Sequence, residues 1–496
     1  MTPFKKLVIF ISAFTLARLF VAGSFELALD DGYYWLWSQH LSPGYFDHPP
    51  MVAVVIWAGT LFGQSEIFVR LGAVLLAAVS TYLLYRIAEK LFNSAEAGWH
   101  SAWIANLCLI FSVGALTTTP DSPLIPFYLC AMILFYDAAK AENGAWLKWL
   151  SVGVFVGLAM LSKYTAVFFF PGAVLYLALS PDKRRWFFRP EPYVAALVSA
   201  VVFSPVIFWN AEHNWISLAF QAKHGLEHSG GNPLGRFLEF AGLQAVIYSI
   251  GIFFFLMAGI VTAIRRCGIF SKTTAEGQGK DTSLFLVSMA APTLIFFTFN
   301  SFRATVEGNW PVLGFLPLFI QAGGMTEEWL KNRGTKKLLT ASIVTAVLLT
   351  AFLHVQIVDP IIPHPKRFEI SRRVFGWRQL AGAVDAERSS FPAKFLIADR
   401  HQIAGLLTYY TDDHLPAHVI GRYNKLRYTF LPGTDTYAGG NAIYVVEEER
   451  DNSKALEKVF EKVEKARTVV IERKGELIRR FLIYRCYNYR GGLDDL

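Results

Sequence analysis

Apolar runs of membrane-crossing length recur through the first 356 residues, separated by short polar or basic segments. They lie near Leu7–Gly23, Phe68–Ile87, Trp99–Leu116, Leu124–Ala139, Leu147–Leu161, Ala166–Leu179, Tyr193–Trp209, Phe237–Ile264, Leu284–Phe299, Trp310–Gly323 and Leu338–Gln356. A hydrocarbon core takes roughly 20 apolar residues to cross, so the pattern predicts about eleven transmembrane helices. After Gln356 the pattern changes. "DPIIPHPKRFEISRR" is a proline-rich, charged exit, and beyond it "AKFLIAD", "NAIYVVEEE", "RTVVIER" and "FLIYRCYNY" read as strands, with "QIAGLLTYY" and "SKALEKVFEKVEKA" as helices. The expected organisation is a polytopic α-helical membrane domain over 1–356, with a first outer loop at 24–67, followed by a small soluble α/β domain over 357–496.

Charge orients this chain. With Lys5 and Lys6 inside, alternate loops carry the basic residues: Arg86 and Lys90, Lys140 and Lys148, "DKRRWFFR", "RRCGIFSK" and "KNRGTKK". No Lys or Arg occurs from Ser24 to Val69, so that segment faces outward, and an odd number of spans puts the α/β domain on the same side. Composition agrees with a membrane protein: of 496 residues 53% are hydrophobic, 15% aromatic and only 17% charged. The net charge of +8 is accounted for by the inner loops, which makes membrane lipids the surroundings and removes nucleic acid as a partner. Cys108, Cys130, Cys267 and Cys486 lie far apart with no metal-ligand spacing and no disulfide framework. The basic, apolar N-terminus is like a signal peptide, but Arg18 interrupts it and it is read as a retained helix.

The candidate chemistry gathers on the outer side. Asp30 and Asp31 open "DDGYYWLWSQHL", whose aromatics suit a membrane interface. Two readings fit them: caps of an interfacial helix, or a base and its orienting group, since desolvation by apolar walls raises carboxylate basicity. Asp47 and His48 precede the rigid Pro49–Pro50 turn, where they cap the turn, contact a phosphate or bind a metal. No further ligand spacing supports the metal, so no cofactor is expected to be required. Asp121 in "TTTPDSPL" caps the fourth span or faces the same cleft. Lys163 in "LSKYTAVFF" lies between apolar spans with no acidic neighbour in sequence; such a lysine either snorkels to the interface or holds an anion such as a lipid phosphate. "FRATVEGNWP" adds Arg303, Glu307 and Trp310 as substrate-facing candidates before the tenth span. The outer "WNAEHNWISLAFQAKHGLEHSGGNPL" supplies Glu212, His213, Lys223, His224 and His228, read chiefly as a solvated loop. Asp399, Arg400, His401 and Gln402 stand where a strand turns into a helix, a place of helix caps and of ligand sites in α/β folds.

In order, "LDDGYYWLWSQHLSPGYFDHPPMVA", "TTTPDSPL", "LSKYTAVFF" and "EGNWPVLGFLP" resemble the successive motifs of the protein-mannosyltransferase and aminoarabinose-transferase superfamily, membrane glycosyltransferases of the GT-C fold. The resemblance covers the whole membrane part. It implies a polyprenyl-phosphate-linked monosaccharide donor, inversion at the anomeric carbon, and transfer on the periplasmic face of a bacterial inner membrane. The acceptor it implies is lipid A, core oligosaccharide or another envelope glycolipid or glycan. By position the family's base falls on Asp30, its acidic residue before the fourth span on Asp121, and its phosphate-binding lysine on Lys163. The chain departs from the family at Asp31, where relatives carry Glu, and at "DHP", where some relatives carry Glu–Lys–Pro; His48 stands in for that lysine only as a hydrogen-bond donor or when protonated. A transporter or flippase for lipid-linked sugars, and a protein O-glycosyltransferase, are the alternative expectations.

Overall fold

The computed structural model describes residues 1–142, 145–226, 230–268, 278–362, 371–420 and 433–496. Each apolar run is helical. After α1 (Pro3–Ala22) come two short outer helices, α2 (Leu29–Ser38) and α3 (Met51–Thr60), then α4 (Glu66–Phe92), α5 (Ala95–Leu107), α6 (Leu109–Ser112), α7 (Asp121–Lys140) and α8 (Trp146–Ser162). The helical body continues with α9 (Phe169–Leu179), α10 (Glu191–Glu212), α11 (Ile216–Leu226), α12 (Pro233–Ile247), α13 (Ile250–Arg266), α14 (Gln278–Ser301), α15 (Val312–Lys331) and α16 (Arg333–Val358). Among the described residues five helices are long and apolar enough to cross a membrane alone, or up to seven spans if each bent pair counts as one. The expected eleven is therefore a count of apolar helices rather than of full-length spans: α8 and Tyr164–Leu179 are apolar but short, and α1 carries Lys5, Lys6 and Arg18. The chain is a multi-pass membrane protein.

Both bent pairs meet inside the body. α5 turns by 82° into Leu109–Leu116, and α12 by 104° into α13. A break frees carbonyls that water cannot reach, and side chains must satisfy them. Ser249 Oγ donates to the Leu107 carbonyl at 3.1 Å and Cys108 Sγ to that of Tyr248 at 3.2 Å, so each break is closed by the other. Arg18 Nη2 donates to the Phe111 carbonyl at 2.9 Å and to Asn106 Oδ1 at 2.7 Å. Arg18, the residue that spoiled a signal-peptide reading, is thus buried and spent on backbone.

Beyond α16 come α17 (Ser371–Val374), α18 (Trp377–Ser390), α19 (His401–Tyr410) and α20 (Ser453–Leu456), with a sheet of β1 (Phe395–Ala398), β2 (Ala417–Val419), β3 (Ala442–Glu447), β4 (Phe460–Arg473) and β5 (Glu476–Tyr489). The strand order is β2-β1-β3-β5-β4; β1 is parallel to β2 and β3, and the last three strands are antiparallel. One expectation fails here. "SKALEKVFEKVEKA" is helical only over Ser453–Leu456, and from Phe460 it is strand. Its Lys and Glu residues favour a helix, but pairing with the fourteen residues of β5 and burial of Phe460 override that preference.

The sheet domain sits on the first outer loop. α19 packs along α2 with no room for a side chain at the crossing: a Cβ on Gly405 would stand 2.5 Å from the Gly32 carbonyl oxygen. Trp35 meets Tyr409 edge-on at 4.9 Å, and Tyr33 meets His401 at 4.5 Å. Polar contacts frame this apolar seam. The Tyr410 hydroxyl donates to Glu66 Oε1 at 2.9 Å and accepts from the Leu27 N–H at 2.7 Å, while Glu26 accepts from the Trp377 N–H at 2.6 Å.

Beneath the seam lies a buried ion pair. Arg70 of α4 places Nε and Nη2 at 2.9 and 2.8 Å from Asp31 Oδ2. Its remaining donors reach the carbonyls of Ala22, Phe25 and Glu26 at 2.6, 2.9 and 2.8 Å. Asp31 also accepts from the N–H groups of Ala28 and Thr118, both at 3.1 Å.

Arg70→Ala leaves the Asp31 charge buried and unpaired, with an expected loss of about 3–5 kcal/mol. Thermal unfolding of the detergent-solubilised protein should show a steep drop, partly recovered when Asp31→Ala is added; a single variant that melts with the wild type removes the pair as an anchor. A second test concerns the sheet. His418 in β2 is buried beside Phe395 and Tyr437, and burial pushes its imidazole down to about 4 from an ordinary 6.5. The unfolded chain therefore takes up a proton that the folded sheet refuses, and stability falls as pH drops from about 6.5 to about 4. Amide exchange across β1–β3 should lose protection through that window in the wild type but not in His418→Phe; matching profiles would show that His418 does not set the slope.

Candidate active site

The loop that enters α7 and the break that ends α8 bring two opposite charges together. Asp121 is the first residue of α7. Lys163 ends α8 in an extended conformation, φ −157° and ψ 138°, which turns its side chain away from the helical course. Lys163 Nζ lies 2.8 and 3.0 Å from the two Asp121 oxygens, and the Asn309 side-chain amide donates to the same carboxylate. Both partners are largely buried, with side-chain exposures of 7% and 13%. A cation this dry is costly unless paired, so the lysine is retained for its charge and not for snorkelling.

An apolar cavity of about 150 Å³ opens beside this pair. Ala73, Ser80, Phe111 and Ile125 line its walls, and Asp121 and Asn309 its polar end. Such a shape suits a long apolar chain with an anionic head. On another side a wider groove runs between the first outer loop and α10, lined by Ser42, Pro43, Phe208, Trp209, Glu212 and His213. The Trp209 indole stacks on the His213 ring at 4.1 Å. Two residues of the loop read as solvated thus shape a groove. Lys223 is exposed, and the His224 side chain and His228 lie outside the described residues.

Tyr34 sits among the carboxylates. Burial, and then the charges of Asp30, Asp47, Asp121 and Asp31, push its phenol well above the usual range, so it stays a neutral donor. Tyr33 is held protonated by burial first and Asp47 next, and its hydroxyl donates to Asp47 Oδ1 at 3.1 Å. Asp47 is buried, and its backbone carbonyl accepts from the Gln221 side chain of α11. His48 meets Tyr34 edge-on at 6.1 Å. The adjacent pair divides sharply: Asp30 is exposed in the first turn of α2, whereas Asp31 is buried and held by Arg70, Ala28 and Thr118. Asp31 is therefore placed as the anchor that orients the first turn, and Asp30 as the carboxylate turned outward.

Of the stretch before α15, Asn309 is the residue whose side chain reaches the Asp121–Lys163 pair. Arg303 is exposed with its guanidinium 6.0 Å from the Phe299 ring, Glu307 is exposed, and Trp310 packs 6.0 Å from Phe297 in a separate apolar cluster. Arg70 was not among the sequence candidates. Its signal was there: it is the first basic residue after the Lys- and Arg-free outer segment, at the start of an apolar helix.

Comparisons with known proteins agree on the family. Residues 47–209, which hold Asp47, His48, Asp121 and Lys163, match the model described as dolichyl-phosphate-mannose-protein mannosyltransferase. The lipid A galacturonosyltransferase RgtD of Rhizobium johnstonii is 26% identical over 82% of this chain and 83% of its own length. An undecaprenyl phosphate-alpha-4-amino-4-deoxy-L-arabinose arabinosyl transferase of Sodalis glossinidius is 28% identical over 31% of this chain and 28% of its own. Among solved structures, ArnT from Cupriavidus metallidurans bound to undecaprenyl phosphate superposes with a TM-score of 0.63 at 15% identity, covering 96% of this chain and 97% of that one. The fold is shared from end to end, sheet domain included, and the family model falls on the segment that carries the buried lysine. The chain is thus similar over most of its length to a lipid A glycosyltransferase, matches a mannosyltransferase family model over residues 47–209, and shares the ArnT fold.

Proposed function

We propose that this chain transfers a monosaccharide from a polyprenyl-phosphate donor to an envelope glycolipid, of the lipid A or core-oligosaccharide class, on the periplasmic face of a bacterial inner membrane. The observation that carries the reading is Lys163: a buried cation, held by Asp121 at the polar end of an apolar cavity, beside a cluster of carboxylates. In this reading the donor's isoprenoid chain takes the cavity and its phosphate meets Lys163. Asp30 removes the acceptor hydroxyl proton as that oxygen attacks the anomeric carbon. The bond from the anomeric carbon to the phosphate oxygen breaks on the opposite side, the sugar inverts, and polyprenyl phosphate leaves with its charge met by Lys163 and a hydrogen bond from His48. Asp121 holds Lys163 in place before the donor arrives. The glycolipid acceptor, rather than a protein, is favoured by the lipid A transferase that aligns with most of the chain.

A transporter for lipid-linked sugars is the second reading, because the helical body does contain two broken helices. Against it, the carbonyls at the breaks are taken up by Ser249, Cys108 and Arg18 and so are not free to hold a substrate or an ion.

Three measurements test the proposal. Asp30→Asn should bind the polyprenyl-phosphate donor with unchanged affinity yet lose transfer by about 10²–10⁴-fold, the range of general-base catalysis; full transfer in the variant would remove Asp30 as the base, and donor binding with no transfer by the wild type would favour a transporter. Lys163→Met should weaken donor binding by about 100-fold, as truncating one member of a buried charge pair does. A deletion strain should lack one sugar mass in its envelope glycolipids by mass spectrometry, and unchanged glycolipids with an altered glycoprotein pool would move the assignment to protein O-glycosylation.

A further inference from the structure

The sheet domain carries a second cluster that the transfer chemistry does not use. In the order β2-β1-β3 the chain leaves β1 toward β2 on one side while β3 lies on the other, and ligands of α/β sheets bind where strand ends diverge in this way. At the carboxyl ends of β1 and β3 stand Asp399, Arg400 and Glu447, and the antiparallel start of β5 adds Arg479, two residues before the partner of Glu447. A cavity of about 150 Å³ opens there, lined by Arg372, Glu447, Glu448, Glu449, Arg479 and Arg480 among others.

Arg479 is the unusual member. Its side chain is only 3% exposed, it lies flat over the Trp377 ring at 4.1 Å, and its Nε and Nη2 have no hydrogen-bond partner among the described residues. Its nearest carboxylate oxygen, on Glu447, is 3.8 Å away, and Glu447 is already bonded to Arg400. Glu448 in turn faces Arg480 at 3.7 Å. Burial lowers the Arg479 guanidinium only to about 10, so it is charged at neutral pH. Arg372 supplies a second guanidinium from α17, close enough to repel that of Arg479. Two cationic planes, one with unspent donors, match the paired oxygens of a phosphate or carboxylate.

The edge that holds this cavity faces the helical body. The turn between β4 and β5 is tied to the end of α16: Arg473 Nη2 donates to the Val358 carbonyl at 2.6 Å and Lys474 Nζ to that of Pro360 at 2.9 Å. We propose that Arg479 and Arg372 bind the phosphate or carboxylate of an anionic membrane lipid, docking its headgroup between the sheet domain and the membrane surface. Glu447, which lines the cavity, also bonds Arg400, and the neighbouring His401 meets Tyr33. The inference stands apart from the transfer step and does not require it.

The experiment uses the full chain in phosphatidylcholine nanodiscs, with phosphatidylglycerol titrated in and bound lipid counted by native mass spectrometry. Saturable retention of phosphatidylglycerol is expected, weakened by about tenfold or more in Arg479→Gln and in Arg372→Gln, the range for hydrogen bonds to a charged group. Lys462→Gln, exposed at the far end of β4 and paired with Glu464, should retain wild-type binding. Arg372 is only half-buried, so Arg372→Gln tests the site even where Arg479→Gln melts early. Inorganic phosphate is the second probe. Competition by it assigns the site to the oxyanion itself, and its failure to compete assigns the site to the lipid headgroup; both outcomes support binding by the two arginines. Retention unchanged in both arginine variants, or no saturable binding of either probe, overturns the proposal.

Discussion

The half of this protein that carries the sheet domain is organised by one guanidinium. Arg70 has five N–H donors in a rigid fork, and at its depth every one must be spent. Spending them on Asp31 and on the carbonyls of Ala22, Phe25 and Glu26 fixes the exit of α1, the entry of α2 and the start of α4 relative to one another. Asp31 passes the constraint on, because its second oxygen holds the Thr118 N–H while the Thr118 hydroxyl donates to the Val69 carbonyl. Asp30 is the neighbour of Asp31, and Asp121 lies three residues after Thr118. Asp30 and Asp121 are therefore positioned through Asp31, Arg70 and Thr118.

The division between Asp30 and Asp31 follows from the geometry of a helix start. Adjacent residues on a helix point about 100° apart, so a pair at the first turn cannot both face one wall. Asp31 at the third position reaches back to the Ala28 N–H and inward to Arg70; Asp30 is left on the open side. The short side chain at position 31 is adequate because α4 brings Arg70 within 3 Å. Lys163 shows the complementary device. A lysine within a continuous helix would project along one face, whereas an extended residue between α8 and the turn that follows it can aim across to α7.

How much of this was legible follows from range. The apolar runs are local signals, and all of them are helices; their ends, the bends at Leu107–Cys108 and Tyr248–Ser249, and the number that truly span depend on packing between distant segments. Asp121 and Lys163 stood out because a carboxylate or a lysine in apolar surroundings is conspicuous by itself. That they pair with each other, 42 residues apart, was not readable. Arg303, Glu307 and Trp310 were chosen over Asn309 because charge and aromatic surface attract notice, yet a neutral amide is what the loop presents to Asp121. The Lys- and Glu-rich β4 was taken for helix for a related reason: local propensity is visible in sequence, and the partner strand that overrides it is not.

The sheet domain changes what the active site consists of. Had it been joined by a flexible linker, the cleft would be a property of the helices alone. Instead Gly32 and Gly405 let two helix backbones touch, and any side chain at either glycine would meet atoms under 3 Å away. With the helices this close, Tyr33, whose hydroxyl donates to Asp47 on one side, meets the His401 ring on the other. The wall of the cleft is thus built from both ends of the chain. The helix start that carries Arg400 to Glu447 also carries His401 to Tyr33, so the arrangement of the carboxylates is tied to the seating of the sheet domain through this packing and the hydrogen bonds that frame the seam.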